Sequence, residues 1–94
     1  MKINQTTVFE RATKKLHANQ KKSLKDTIDN IVKNPAVGEL KKGYLAGVYV
    51  HKFQIINQLM LLAYTYEEKP NKEDSILNLL SLGTHENFYR DLKK

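Results

Sequence analysis

The C-terminal end of the chain carries the residue types most suited to chemistry. His85, Tyr89 and Arg90 follow closely after an apolar run that ends at Gly83. A histidine titrates near neutral pH and can transfer a proton, and an arginine can hold a phosphate. If Thr84 caps a short helix, His85 and Tyr89 lie four residues apart on one face of it. This grouping is suited to chemistry on a phosphate.

The same segment also has a purely structural interpretation. Phe88 and Leu92 share another face of the predicted helix and can dock it on the body of the protein. Tyr89 is then half-buried, and His85 is a solvated residue near the cap. Both interpretations stay open at this point, because one His and Tyr pair is weak evidence of catalysis.

Length and composition limit the classes of protein. A chain of 94 residues with 40% apolar content predicts a single domain over residues 1–94. The lack of cysteine excludes a disulfide framework and a thiolate metal site, which fits a reducing cytoplasm. The apolar runs are too short to cross a bilayer, and the N-terminus lacks the layout of a secretory signal. We therefore expect a cytoplasmic protein with no membrane partner.

Basic charge is concentrated in the first half of the chain. Residues 1–45 contain ten Lys or Arg and four acidic residues, whereas residues 46–94 contain six of each. The net charge of +6 thus belongs to the first half. This distribution indicates a polyanionic partner such as RNA, DNA or an acidic protein. The alternative is an ordinary solvated helix surface rich in lysine.

The spacing of apolar residues predicts the elements that position these groups. Two amphipathic helices are expected over residues 7–16 and 20–33, with Asn19 capping the second and Asn34 before Pro35 ending it. His17 lies at the break and is interpreted as a solvated turn residue. A strand is expected over residues 48–56, followed by a tight turn at Asn57 and Gln58.

The remaining apolar runs complete the predicted fold. Residues 59–66 are almost wholly apolar, as expected for a central strand covered on both faces. Residues 75–82 fit a helix or a strand, and residues 2–6 fit a short edge strand. We predict an α+β fold in which an N-terminal helical hairpin packs on a small, mostly antiparallel sheet and a short C-terminal helix follows.

This order of elements resembles the RelE/ParE superfamily of bacterial type II toxins. Residues 43–49 look like the Gly-bearing, aromatic entry to the first long strand of those toxins, and residues 61–64 are similar to the next apolar strand. Residues 82–85 followed by the aromatic Tyr89 are closest to YafQ-like members. The resemblance extends over nearly the whole chain, although each motif is short.

The resemblance implies a toxin of a toxin–antitoxin system. Such proteins are small mRNA interferases, metal-independent endoribonucleases that act at the ribosome and inhibit translation. A cognate antitoxin neutralises them, and we expect it on the apolar surface between the helical hairpin and the sheet. A minority branch, the ParE type, inhibits DNA gyrase without catalysis. The sequence leaves this alternative open, together with a simple nucleic-acid-binding adaptor.

The RNase interpretation assigns roles to specific residues. His85 is the first candidate for general acid or base, and Tyr89 could stack on a base or bind the phosphate. His51 and Lys52 lie on the first long strand, where the family often carries catalytic basic residues. Strand alternation places these two on opposite faces, and His51 is the preferred second residue. Each of them also fits an ordinary structural role.

Further basic residues could bind RNA phosphates. The candidates are Arg90, Lys41, Lys42, Lys93 and Lys94. Glu39 and Glu86 are weaker candidates for a base or for orienting a histidine. No metal or cofactor is expected, since the chain has no phosphate-binding glycine loop and its three histidines are far apart in sequence.

The chain also departs from the family pattern. Many RNase members place an arginine on the second long strand, yet residues 59–66 contain no basic residue. The chain has only two arginines, Arg11 and Arg90. Either Arg90 or a lysine takes over this task, or the protein is not a strong nuclease.

Overall fold

The described part of the protein is an α+β structure with two α-helices and a five-stranded mixed sheet. The computed structural model describes residues 1–55, 58–84 and Phe88. In chain order, the elements are β1 (Lys2–Gln5), α1 (Thr7–Lys14), α2 (Ala18–Lys33), β2 (Glu39–Leu40), β3 (Tyr49–Ile55), β4 (Gln58–Glu67) and β5 (Ile76–Thr84). Short 3₁₀ turns lie in the links at Pro35–Val37, Gly43–Leu45 and Lys72–Asp74.

The sheet has the strand order β1-β5-β4-β3-β2. Neighbouring strands are antiparallel except for β1, which runs parallel to β5 at one edge. The predicted edge strand near the N-terminus and the central position of β4 are both confirmed. The third apolar run, left open between helix and strand, forms β5.

Strand β4 is buried on both of its faces. Met60, Leu62 and Tyr64 belong to the core under the helices, whereas Leu61 and Ala63 belong to a smaller cluster on the opposite face. None of these five is more than 7% exposed. The long apolar run therefore has its expected cause, since both sides of a central strand need apolar residues.

Helix α1 is tied to the sheet by the residue that caps it. The hydroxyl of Thr6 accepts a hydrogen bond from the Phe9 N–H at 3.1 Å and donates one to the carbonyl of Leu80 at 2.6 Å. The register between β4 and β5 skips Leu80, which forms a β-bulge there. Phe9, buried in the core, then fixes the helix on β5.

Helix α2 begins at Ala18, two residues before the predicted start at Gln20. His17 is its N-cap, and the His17 N–H donates to the side chain of Gln20 at 2.8 Å, so the prediction of Asn19 as the cap is wrong. His17 is exposed, as expected of a turn residue. The helix ends at Lys33 before Asn34 and Pro35, as predicted.

Two details of the predicted fold are not matched. The two helices pack on the sheet, α1 on β5 and α2 on β3, rather than forming a hairpin at the N-terminus, which β1 occupies. Thr84 pairs with Met60 as the last residue of β5, so this strand runs two residues past the predicted end of the apolar run at Leu82, and the predicted C-terminal helix lies outside the described residues. Its threonine side chain suits a strand as well as a helix cap. The last described element is thus a strand.

The hydroxyl of Tyr64 connects the central strand to the link between α2 and β2. It donates to the carbonyl of Pro35 at 2.6 Å and accepts from the N–H of Gly38 at 3.0 Å. A Cβ at Gly38 would lie 2.7 Å from this oxygen, so a glycine is required for the contact. The ring stacks on Tyr49 of β3 with centroids 5.3 Å apart.

We predict that Tyr64→Phe lowers the free energy of unfolding by about 1–3 kcal/mol, because it leaves two backbone groups without their partner. Chemical denaturation measures this change. Tyr49→Phe is the matched control, since its ring stacks in the same place but its hydroxyl makes no hydrogen bond within the described part of the chain. An equal loss in both variants would contradict the assigned role of the Tyr64 hydroxyl.

Candidate functional site

One sheet face carries an exposed lysine of β3 beside a small apolar cluster. Lys52 is exposed, and alternation along β3 puts it on the same side as the buried Val50. Lys52 is paired across the sheet with Leu61, and Leu61 with Gly83. We call this surface, opposite the helices, the Lys52 face.

Phe88 is anchored on the Lys52 face. Its side chain is 1% exposed and belongs to the cluster with Val50 and Leu61. A Cβ at Gly83 would lie 3.6 Å from the Phe88 Cα, so the two backbones approach closely at that point. The docking role predicted for Phe88 agrees with this burial, whereas the contact at Gly83 had no signal in the sequence beyond the glycine itself.

A single cross-strand row joins Lys52 to this anchor. Lys52, Leu61 and Gly83 are consecutive partners on β3, β4 and β5. Neighbouring strands are spaced by about 4.8 Å, so the row is roughly 10 Å long between the Cα atoms of Lys52 and Gly83. Phe88 contacts the far end of the row. Phe88, the one described residue after β5, therefore lies on the face that carries Lys52.

His51 lies on the other face of the sheet. It is half-buried on the helix side between Tyr49 and Phe53, and its ring stacks on Phe53 at 6.2 Å. Burial lowers the pKa of His51 below its usual value of 6.5, since the charged imidazole is poorly solvated there. The predicted alternation of His51 and Lys52 is confirmed, and only Lys52 shares a face with Phe88.

The edge strand β2 borders the Lys52 face. Glu39 pairs with Val50, and the N–H of Lys41 donates to the carbonyl of Val48, so Glu39 and Lys41 are on the same side as Lys52. The two side chains form an ion pair at 3.2 Å. Lys42 is exposed. The two predicted RNA-binding lysines thus lie at one edge of this face.

The other predicted site residues cannot be placed. His85, Tyr89 and Arg90, together with Glu86, Lys93 and Lys94, lie outside the described residues. Within the described ranges, no group of three or more His, Asp or Glu side chains could hold a metal ion. No helix in those ranges is long and apolar enough to span a bilayer.

A groove of about 740 Å³ opens on the helix side of the sheet. It lies between α1 and the adjacent ends of β4 and β5, with Val8, Ala12, Leu16, Met60 and Leu82 as its apolar lining. Basic side chains of the wall are Arg11, Lys15 and His17, and no carboxylate belongs to its described lining. Val8 is 55% exposed there. This groove combines apolar and basic surface.

Several solved structures of toxins share this fold. The YoeB/ParE toxin from Agrobacterium tumefaciens is 20% identical, with a TM-score of 0.73 over 90% of this chain and 99% of that chain. The E. coli RelBE toxin–antitoxin complex gives 16% identity and a TM-score of 0.66 over 88% and 94%. The isolated E. coli RelE toxin gives 16% and 0.62 over 98% and 95%.

A comparison of the sequence with protein-family models identifies the family of this chain. A family model described as ParE-like toxin of type II bacterial toxin-antitoxin system matches residues 3–93. The chain therefore belongs to this family of toxins. Among curated protein sequences, none matches the chain significantly. The resemblance to the RelE/ParE superfamily is confirmed, and the target of the toxin is a separate question.

We predict that His51 makes the folded protein less stable in mild acid. Its folded pKa lies below 6.5, so as the pH falls through about 6.5 the unfolded chain takes up a proton first and the free energy of unfolding decreases. His51→Gln should lose less stability than the wild type between about pH 7.5 and about pH 5.5.

Denaturation curves at the two pH values measure the difference. His17→Gln is the matched control, because His17 is exposed and lies away from the sheet core at the start of α2. It should keep the pH dependence of the wild type. The same pH dependence in the wild type and His51→Gln would show that burial does not affect this imidazole.

Proposed function

We propose that this toxin is a metal-independent endoribonuclease that cleaves mRNA on the ribosome and inhibits translation in the cytoplasm. One observation carries the proposal. Phe88 is buried on the Lys52 face, which also carries an exposed lysine, and in the sequence Phe88 stands between His85 and the pair Tyr89 and Arg90. The RNase interpretation needs a proton-transfer group and positive charge in one place.

The proposed reaction uses the substrate's own 2′-hydroxyl. This oxygen loses its proton to a general base and forms a bond to the neighbouring phosphorus. The bond from phosphorus to the 5′-oxygen then breaks, and the leaving oxygen takes a proton from a general acid. The phosphorane between these steps carries extra negative charge, which a nearby cation stabilises. No redox step or metal-bound nucleophile enters this scheme.

We assign the parts of this reaction to named residues. His85 transfers protons, Lys52 stabilises the phosphorane, and Tyr89 stacks on a base. His51 fits the reaction less well than Lys52, because it lies on the helix side and stacks on Phe53. Phosphates of the RNA are held by a set of basic residues, Lys41, Lys42, Arg90, Lys93 and Lys94.

A ParE-type action on DNA gyrase is the second candidate. It is favoured by the centre of β4, where residues 60–64 are buried and none is basic. The resemblance leads one to expect an arginine on that strand in an RNase. A gyrase inhibitor has no need of one. Under this alternative His85 and Lys52 carry no catalysis and tolerate substitution.

We further propose that the antitoxin occupies the groove between α1 and the ends of β4 and β5. Its apolar lining suits the apolar side of an amphipathic segment. Arg11 and Lys15 on the wall, with no carboxylate in the described lining, suit acidic residues along the flank of that segment. This groove lies on the opposite side of the sheet from Lys52.

We predict that Lys52→Gln reduces mRNA cleavage roughly 10²- to 10³-fold, since a stabilising cation is removed. His85→Ala should reduce cleavage roughly 10²- to 10⁴-fold. Lys52→Arg should keep most activity, and His51→Gln, one residue away on the opposite face, serves as the matched control. Induced cells are assayed by mapping mRNA 5′ ends and by scoring gyrase-dependent DNA breaks in the same cultures.

The outcomes separate the two candidate targets. New 5′ ends that disappear with Lys52→Gln and His85→Ala establish the RNase and its site. Intact messages with broken DNA would establish the gyrase alternative and refute the catalytic assignments. If His51→Gln abolished cleavage while Lys52→Gln did not, the reaction would belong to the helix side of the sheet.

We predict that Val8→Glu weakens binding of the cognate antitoxin by roughly tenfold or more, because it puts a negative charge into the apolar part of the groove. Growth arrest by the toxin alone should persist. Val37→Glu is the matched control, since Val37 is 43% exposed and does not line the groove. Titration of purified toxin with the antitoxin gives both affinities. Equal affinities for the two variants would place the antitoxin elsewhere.

A further inference from the structure

The most exposed large apolar residue in the described part of the chain is a tyrosine in a loop. Tyr44 is 73% exposed, more than Val8 at 55% or Leu40 at 53%. It lies in the link between β2 and β3, within the short 3₁₀ turn Gly43–Leu45. An aromatic ring with this much surface in water has apolar area that a ligand can cover.

The loop that carries Tyr44 has a defined shape. Gly43 and Gly47 adopt left-handed φ values of 74° and 87°, which glycine tolerates without strain. Hydrogen bonds close the loop, from the Ala46 N–H to the Gly43 carbonyl and from the Val48 N–H to the Leu45 carbonyl, each at 3.0 Å. Tyr44 is therefore held on a fixed turn, which limits the entropy lost when it binds a ligand.

The surroundings of Tyr44 are basic. Lys41 and Lys42 precede it, and residues 41–48 contain no acidic residue. Lys42 is exposed. The N–H of Lys41 donates to the carbonyl of Val48 at 2.9 Å, so the loop begins and ends at the edge of the Lys52 face. Lys52 follows Val48 by four residues, roughly 13 Å along β3.

We propose that Tyr44 stacks on a base of single-stranded RNA while Lys42 contacts a neighbouring phosphate. A ring that alternates with cations is the usual platform for single strands, because every base has a face on which an aromatic side chain can stack. The loop would then hold the RNA at the edge of the Lys52 face. This inference rests on the proposed function, in which RNA is the substrate.

RNA fits this loop better than a protein partner does. Tyr44 stands between Gly43 and Leu45, and although Glu39 pairs with Lys41, the exposed Lys42 forms no ion pair with a described residue. A protein-docking tyrosine is expected within a larger apolar patch. Leu40 is exposed nearby but points to the helix side, because it pairs with Tyr49.

Binding of a labelled single-stranded 2′-O-methyl RNA oligonucleotide tests the proposal, because this probe lacks the 2′-hydroxyl that attacks the phosphate. Tyr44→Ala should bind roughly 5- to 100-fold more weakly than the wild type, which is the range for loss of one stacked base. Tyr44→Phe should bind like the wild type. Tyr44→Leu should be as weak as Tyr44→Ala, because it keeps apolar bulk without an aromatic face.

Two further measurements distinguish stacking from charge. Lys42→Gln should reduce the slope of log affinity against log salt by roughly 0.7, the value for one phosphate contact on a single strand, whereas Tyr44→Ala should leave that slope unchanged. An oligonucleotide with abasic positions should bind the wild type and Tyr44→Ala equally. Val37→Ala is the control for an exposed apolar residue outside the loop, and it should bind like the wild type.

The outcomes separate this inference from the proposed function. If mRNA is cleaved in cells but Tyr44→Ala binds the oligonucleotide as well as the wild type does, the stacking role is refuted and the RNase stands. Tight binding by Tyr44→Leu would also refute stacking and indicate an apolar contact. If the wild type binds no oligonucleotide even at low salt, the platform does not exist, whatever the cleavage assay shows. Intact messages in cells would refute the RNase itself.

Discussion

The rest of the structure depends on the hydroxyl of Tyr64. This ring lies on the central strand, at 0% exposure, and its oxygen joins the carbonyl of Pro35 to the N–H of Gly38. A buried oxygen without partners is costly, so the link between α2 and β2 is held against the sheet. The chain then enters β2 beside β3, which places Glu39 at the edge of the Lys52 face. The loop after β2 starts from this fixed point.

Burial of β4 on both faces divides the protein into two surfaces with different chemistry. On the helix side, large apolar residues from α1 and α2 fill the core, and His51 is held there with its pKa lowered. On the other side the apolar cluster is small, and Phe88 covers it. An exposed lysine can border such a cluster with its ammonium group in water, and Lys52, the cross-strand partner of Leu61, holds such a position.

The sequence predicted those parts of the fold that depend on the spacing of apolar residues and on residues that end a helix. The central strand, the edge strand and the end of α2 at Asn34 follow from local patterns, and the alternation of His51 and Lys52 follows from strand geometry. The end of β5 at Thr84 was not predicted, because a threonine after glycine fits a helix cap and a strand equally well, and its pairing with Met60 is a contact between distant parts of the chain. The Tyr64 contacts and the groove beside α1 join residues far apart in the chain. No local pattern contains such information.

The missing arginine of β4 follows from the same packing. At the centre of β4, Leu61 and Ala63 are the residues on the Lys52 face, and both are 0% exposed in the cluster with Phe88. An arginine at either position would be a buried cation with no carboxylate partner in that cluster, which is strongly unfavourable. Positive charge at the centre of this face therefore has to come from residues around the buried cluster. Lys52 is the cross-strand partner of Leu61 and is exposed, so it is the nearest position on β3 at which a cation is solvated. The covered centre of β4 and the exposed lysine beside it thus follow from one packing arrangement, and a phosphate-binding site on this face would depend on Lys52 rather than on a residue at the centre of β4.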